Sequence, residues 1–158
     1  MATDQEKFWG TSFGDEYTSR NAQAEVGSLR SNVALFSRIL ASTSGVESVI
    51  EFGAGDGRNL HAINKVMPFV NLSAVEINRQ ARDAMPDCVT TIMNGSILHD
   101  YPPAPHDMAF TKGLLIHIAP ADLPRAYVTL HASAKRYVLL CEYFCPTPRM
   151  IPYRGHDD

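Results

Sequence analysis

Val49-Ile50-Glu51-Phe52-Gly53-Ala54-Gly55-Asp56-Gly57-Arg58-Asn59-Leu60 is the stretch that decides the fold. Its first residues continue a short apolar, β-branched run from Val46 to Phe52, the composition of a buried strand, and the run passes straight into alternate glycines. Glycine lets the backbone turn tightly and leaves the main chain bare to an approaching group. From Asp56 to Val66 the spacing becomes helical, with Leu60 and Ile63 on one face and Met67-Pro68 closing the helix. The stretch predicts a strand, a tight turn and a helix whose first N–H groups are free to meet a ligand. A tight turn with no ligand is the plainer reading of the same glycines, and the pattern alone leaves both open.

Two acids favour the ligand. Glu51 stands two residues before the first glycine, and Glu76 ends the next apolar run, 19 residues after Gly57. A carboxylate in that second place can accept both ribose hydroxyls of an adenosine-type cofactor. The nicotinamide pattern is G-x-G-x-x-G, whereas the glycines here are spaced G-x-G-x-G, with Arg58 where the third would fall. No Lys-Ser/Thr pair follows the glycines, so a P-loop is excluded.

Working outward, strand-like and helix-like units alternate. Phe69 to Ile77, Cys88 to Met93, Asp107 to Thr111 and Arg136 to Phe144 read as strands; Asn78 to Ala84 and Pro120 to Ser133 read as helices, Pro124 being tolerable only in a first turn. Ahead of the glycines, Val26, Leu29, Val33, Leu35, Phe36, Ile39 and Leu40 recur at helical intervals from Ala24 to Leu40, and Ser42-Thr43-Ser44-Gly45 ends that helix. Near-continuous apolar strands separated by helices predict a doubly wound α/β sheet of five parallel strands, with its ligand site at the C-terminal strand ends.

Length and composition set the frame. At 158 residues, 45% hydrophobic and 20% charged, the chain suits one domain with a core that needs no disulfide or metal staple. Its apolar runs are far shorter than the roughly 20 residues of a membrane span, and the first residues lack a signal-peptide core, so a cytoplasmic protein is expected. Fourteen Lys and Arg against 17 Asp and Glu, with no long basic run, disfavour nucleic acid as the main partner. The three cysteines, Cys88, Cys141 and Cys145, lack paired spacing, which suits reduced thiols, and no metal-ligand spacing is present.

Glu51-x-Gly53-x-Gly55-x-Gly57 followed by Glu76 resembles the first two motifs of class I methyltransferases that use S-adenosylmethionine. More narrowly, the chain resembles the pseudaminic acid biosynthesis-associated methylases, from about residue 8 to the C-terminus. Phe8-Trp9, Phe13-Gly14-Asp15-Glu16-Tyr17, Arg20-Asn21, Ala74-Val75-Glu76-Ile77-Asn78, Asn94-Gly95-Ser96-Ile97, Phe110-Thr111-Lys112-Gly113, Glu142-Tyr143-Phe144 and Tyr153-Arg154-Gly155-His156 carry that likeness. The resemblance implies a Rossmann-like sheet in the order 3-2-1-4-5 and methyl transfer to oxygen or nitrogen of a small polar, anionic acceptor: a nucleotide sugar, sugar acid or amino-acid-like molecule. A non-catalytic or truncated cofactor binder is the alternative.

The resemblance also implies roles. Gly53, Ala54 and Gly55 lie against the methionine part of the cofactor, Glu76 holds the ribose with Ile77 beside it, and Ser96 and Ile97 flank the adenine. Many relatives carry an Asp where Gly95-Ser96 stand here, so a hydroxyl or the main chain takes that contact. Lys112 either meets the cofactor and an anionic substrate or is a solvated strand-end lysine. Trp9, Tyr17 and Arg20 either cover the sheet or form a lid, within an N-terminal segment of about residues 1–42, in which Arg20 pairs with the cofactor carboxylate. The acid or base candidates are His117, Glu142, Tyr143 and His156, with a structural histidine as the plainer reading of His117. His61, His99, His106 and His131 are expected at the surface.

Class I sheets usually close with an antiparallel hairpin, and five parallel strands leave no sequence for one. The expectation is either a shortened chain or a minimal form that covers its open edge by forming a homo-oligomer.

Overall fold

The computed structural model describes residues 2–22 and 25–147. Five strands, β1 (Ser48–Phe52), β2 (Asn71–Glu76), β3 (Val89–Asn94), β4 (His106–Lys112) and β5 (Ala134–Cys141), form one parallel sheet in the order β3-β2-β1-β4-β5. This is the doubly wound architecture and strand order that the apolar runs and the resemblance implied. Successive strands step from β1 out to β3, then return to β4 and continue to β5, so the direction reverses between β1 and β4. Loops leaving these two strands diverge to opposite faces, and the gap between them opens at the C-terminal end of the sheet.

The central strands are buried on both faces. Val49, Ile50, Phe52, Leu72, Val75, Met108, Ala109 and Phe110 are almost wholly shielded from solvent, which is why these runs are continuous rather than alternating. On one face lie α3 (Glu25–Leu40) and α4 (Arg58–Val66), packing Phe36, Leu60 and Ile63 against Val49, Leu72 and Phe110. The Phe36 and Phe110 rings meet edge to face at 5.6 Å between centroids. The other face packs α6 (Leu123–Ala132), through Ala126 and Leu130, with Ile97 and Leu98 against Ile50, Phe52, Val75 and Ala109. Pro124 sits in the first turn of α6, where its missing N–H has no intrahelical partner to lose.

Several boundaries shift for physical reasons. The last run was expected to reach Phe144, but β5 ends at Cys141 because its partner strand ends at Lys112, opposite Cys141. Tyr143 and Phe144 project beyond the sheet and are exposed. The expected helix start at Asp56 moves to Arg58, because Gly57 takes the left-handed conformation that ends the turn. Ala24 and the side chain of Val26 fall outside the described residues.

Two elements had no sequence assignment: α1 (Asp4–Trp9) and α2 (Ser12–Ala22). α1 begins with a capping box in which Thr3 Oγ1 accepts from the Glu6 N–H at 3.2 Å and Glu6 Oε2 accepts from the Thr3 N–H at 2.6 Å. The Thr-x-x-Glu signature was present in the sequence. His106 also departs from expectation. It opens β4, half-buried, with Nε2 2.8 Å from Ser73 Oγ, and burial holds its pKa below the ordinary imidazole value. Beside it, Asp107 Oδ2 accepts from the N–H groups of Glu47 and Ser48, both at 3.0 Å, and so ties the start of β1 to β4. No helix of the described residues is long and apolar enough to cross a membrane.

Truncating the ring that joins α3 to the sheet tests this packing. Phe110→Ala should lower the unfolding free energy by about 3–5 kcal/mol, seen as a lower urea midpoint at unchanged slope.

Candidate functional site

A cleft of about 400 Å³ opens over the C-terminal ends of β1, β2, β3 and β4. Its floor is the turn after β1. Gly53 and Gly55 have φ of +67° and +56°, a region that other residues enter only with strain. A Cβ on Gly53 would stand 2.6 Å from Leu114 Cδ1, so any other residue there would displace the Leu114 side chain that packs over the turn. A Cβ on Gly55 would meet nothing within 4 Å, since that side of the loop faces the open cleft. The main chain therefore presents a bare surface to a ligand, next to the first turn of α4.

Glu76 closes the turn from the side. Its Oε2 accepts the Gly55 N–H and its Oε1 accepts the Asn78 N–H, each at 2.8 Å. Burial raises its pKa, and the N–H groups of Asn78, Gly55 and Ile77, with the Arg82 charge, offset part of that rise. A carboxylate offers about four acceptor sites, so these donors leave capacity for a ligand hydroxyl. Glu51 lies beneath the floor rather than in the cleft. It is 0% exposed, its Oε1 accepts from Asn59 Nδ2 at 2.7 Å, and its Oε2 has no partner. Burial pushes this carboxyl well above the usual range, against the pull of Asn59 and the Lys112 charge. Glu51 thus holds the start of α4 from below.

Roof and floor meet at one asparagine. α5 (Arg79–Asp83) follows β2, and Asn78 caps it, with Oδ1 accepting from the Ala81 N–H at 2.8 Å. The same side chain donates through Nδ2 to Asp15 Oδ1 at 2.8 Å and to the Trp9 carbonyl at 3.3 Å. Gln80 Nε2 adds a bond to Ser19 Oγ at 2.8 Å. These contacts seat α1 and α2 over α5, so that Trp9 and Tyr17 line the cleft from above. Gly14 permits the seating, because a Cβ there would overlap the Trp9 carbonyl and Asn78 Nδ2. On the outer side, Glu6 is buried with His99 Nε2 3.4 Å from its Oε1, which docks α1 on the loop after β3.

The far wall follows β4. Lys112 ends the strand and lines the cleft, and a short 3-10 turn, Leu115–His117, carries His117 to the Trp9 ring, 4.4 Å between centroids. Glu142 holds this turn in place: its two carboxylate oxygens accept from the N–H groups of Leu114 and Leu115, each at 3.1 Å. Burial pulls the His117 pKa down to about 4, so the imidazole is neutral at pH 7, a hydrogen-bonding group and a weak base.

The structure brings Trp9, Tyr17, Gly53, Ala54, Gly55, Glu76, Ile77, Gly95, Ser96, Ile97, Lys112 and His117 to one cleft. It does not bring Arg20, which pairs with Glu16 at 3.3 Å and lies 5.6 Å over the Phe13 ring, away from the cleft lining. Tyr143 is 77% exposed beyond β5 and does not line the cleft. His156 and the Tyr153-Arg154-Gly155-His156 segment lie outside the described residues. Ser96, placed for an adenine contact, also organises its own loop: its hydroxyl accepts from the Leu98 N–H at 3.2 Å, while Asp100 Oδ2 accepts the Ser96 N–H at 2.8 Å. Asn78, Asn59 and Glu6 were missed as site-builders. Only Glu6 had a local signal, its capping box.

No protein-family model matches the sequence, and no curated protein matches it either. Its fold does match solved structures of methyltransferases. A sugar N-methyltransferase from Streptoalloteichus superposes with a TM-score of 0.68 at 16% identity, over 87% of this chain and 56% of that one. An amino pentose methyltransferase from Micromonospora echinaspora, involved in calicheamicin biosynthesis and solved with S-adenosylmethionine, gives 0.67 at 15%, over 87% and 60%. The magnesium protoporphyrin IX methyltransferase of Synechocystis, also with S-adenosylmethionine, gives 0.64 at 13%, over 88% and 76%. The chain spans little more than half the length of the first two. At these identities the likeness shows a shared fold, the Rossmann-like parallel sheet.

The buried histidine gives this site a pH signature. Because the folded pKa of His117 is below the unfolded value near 6.5, the unfolded chain binds the extra proton first as pH falls, and stability drops between about pH 6.5 and 4. Urea unfolding at pH 7 and pH 5 should show a smaller loss for His117→Gln than for the wild type.

Proposed function

We propose that the protein is an S-adenosylmethionine-dependent methyltransferase whose acceptor is a small, polar, anionic molecule, a nucleotide sugar, sugar acid or amino-acid-like compound, methylated on oxygen or nitrogen. The observation that carries this is the joining of the bare Gly53–Gly55 main chain and the Glu76 carboxylate through the Gly55 N–H, at the floor of one cleft. The residues fit an adenosyl group. Glu76 lines the cleft with acceptor capacity for ribose hydroxyls, Ile97 offers an apolar edge to a base, and the main chain at Gly55 is open to a ligand. The methyltransferase neighbours, two of them on sugars by name, support the same reading, as does the narrower sequence resemblance to the pseudaminic acid-associated methylases.

Bound there, S-adenosylmethionine supplies a methyl carbon activated by a sulfonium centre. The protein's part is to align an acceptor with that carbon and to keep water away. Trp9 and Tyr17, packed edge to face at 5.2 Å, close the roof. The ammonium of Lys112 attracts a negatively charged acceptor; Arg58, the other cation of the cleft, is already held by Asp56, with Nη2 2.7 Å from Oδ2. Neutral His117 lines the cleft, where its imidazole offers a hydrogen bond that orients the acceptor's hydroxyl or amine.

Binding to the purified protein decides between cofactors. S-adenosylmethionine and S-adenosylhomocysteine should raise Tm and NAD should not; stabilisation by NAD alone would overturn the proposal. Glu76→Gln should weaken S-adenosylhomocysteine by about tenfold or more in calorimetry, the loss of one charge-assisted hydrogen bond. Tight cofactor binding with no transfer to any of a panel of sugar nucleotides and small acids would favour a non-catalytic binder.

A further inference from the structure

The sheet order divides the cleft. The ribose and base positions, at Glu76 and Ile97, follow β2 and β3 on one side of β1, and β4 lies on the other side. The segment after β4, which lines the cleft through His117, Ile118, Ala119 and Asp122, therefore borders the space left for the methyl acceptor. Two kinds of group on this wall suit a positive charge. Tyr17, Trp9 and His117 form a continuous run of rings at the cleft, 5.2 Å and 4.4 Å between successive centroids. Ring faces attract a cation within about 6 Å, that of tryptophan most strongly. The second group is the Asp122 carboxylate. Asp122 holds the N-cap position of α6, yet its side chain makes no capping hydrogen bond. It pairs with Arg125 Nη1 at 4.0 Å, and an ion pair of that length on an exposed side chain contributes little. The Asp122 N–H bonds to the Ala119 carbonyl at 2.8 Å, so a tight turn keeps the residue on the wall that His117 begins. The other carboxylates lining the cleft are engaged: Glu76 with Gly55 and Asn78, Asp56 with Arg58, and Glu6 beside His99.

Charge movement in the reaction separates the two nucleophiles. When a nitrogen lone pair forms the new N–C bond, the S–C bond breaks and its electron pair goes to sulfur. The positive charge thus passes from the sulfonium to the nitrogen, and the methylated ammonium later gives its extra proton to water. Fixed groups that stabilise charge where it develops lower the barrier. A carboxylate beside ring faces is such a group for an amine. A hydroxyl must instead lose its proton during the attack, and an imidazole with a pKa of about 4 is a weak base for that task.

We infer that the methylated atom is an amine nitrogen, selected by the Asp122 carboxylate and the Tyr17–Trp9–His117 wall, in an acceptor whose anionic part meets Lys112; this rests on the methyltransferase reading above. Trp9 is the single tryptophan of the chain, so its fluorescence reports on this wall. The test titrates the full chain, saturated with S-adenosylhomocysteine, with cyclohexylammonium and with cyclohexanol, which carry an ammonium and a hydroxyl on the same ring. Cyclohexylammonium should bind about tenfold tighter or more. Asp122→Asn keeps a good N-cap residue and should reduce that preference by about fivefold or more, with cyclohexanol and S-adenosylhomocysteine each within about twofold of the wild type. Should that variant fail to fold, Asp122→Ser is read by the same comparison. Equal affinity for the two probes, binding of neither, or an unchanged preference in the variant overturns the inference. In the acceptor panel, methyl transfer should be confined to members that carry an amine, and comparable transfer to a member without one overturns it as well. A wild-type protein that does not bind S-adenosylhomocysteine overturns the methyltransferase reading itself.

Discussion

The hydrogen bond from the Gly55 N–H to Glu76 Oε2 is the contact on which the site depends. It joins the turn after β1 to the end of β2, two neighbouring strands of the sheet, and it forms only because the turn enters the left-handed region without a side chain. One partner is a main-chain group fixed by strand and helix, the other a carboxylate fixed by the end of its strand. The result is a cleft floor that includes a carboxylate, held in surroundings where burial makes an idle carboxylate expensive. Beneath it, the fully buried Glu51 accepts from the side chain of Asn59, which itself lines the cleft, and so ties the first turn of α4 to β1.

The roof obeys the same economy of polar groups. Asn78 uses its carbonyl to cap α5 and its amide nitrogen to hold Trp9 and Asp15, so one buried side chain, 4% exposed, registers the N-terminal helices against the strand end that carries Glu76. Glu142 acts similarly from β5 on the turn that carries His117. In both cases a polar side chain bonds to backbone groups of the neighbouring segment, the Trp9 carbonyl and Ala81 N–H for Asn78 and the Leu114 and Leu115 N–H groups for Glu142, and so constrains whole loops.

Much of this was legible in the sequence. Continuous apolar runs announced parallel strands because both faces of the sheet are covered, and the glycines announced a turn because no other residue tolerates it. Glu76 was legible because strand, turn and helix lengths bring the second strand end beside the first. Arg20 misled: its neighbours Trp9 and Tyr17 do face the cleft, but Glu16, one helical turn earlier, captures the guanidinium on the outer side of α2. Tyr143 misled because the strand was read past the end of its partner.

By itself, the sequence determined the order and kind of the elements and the chemistry of the turn, because periodicity and backbone freedom are local properties. Tertiary structure decided which of several plausible polar residues face the same space. That choice separates Lys112 and His117 from Arg20 and Tyr143, and it adds Asn78. It depends on how α1, α2 and α3 pack across strand ends some 60 residues away, a matter of long-range packing and hydrogen-bond completion that no local pattern encodes.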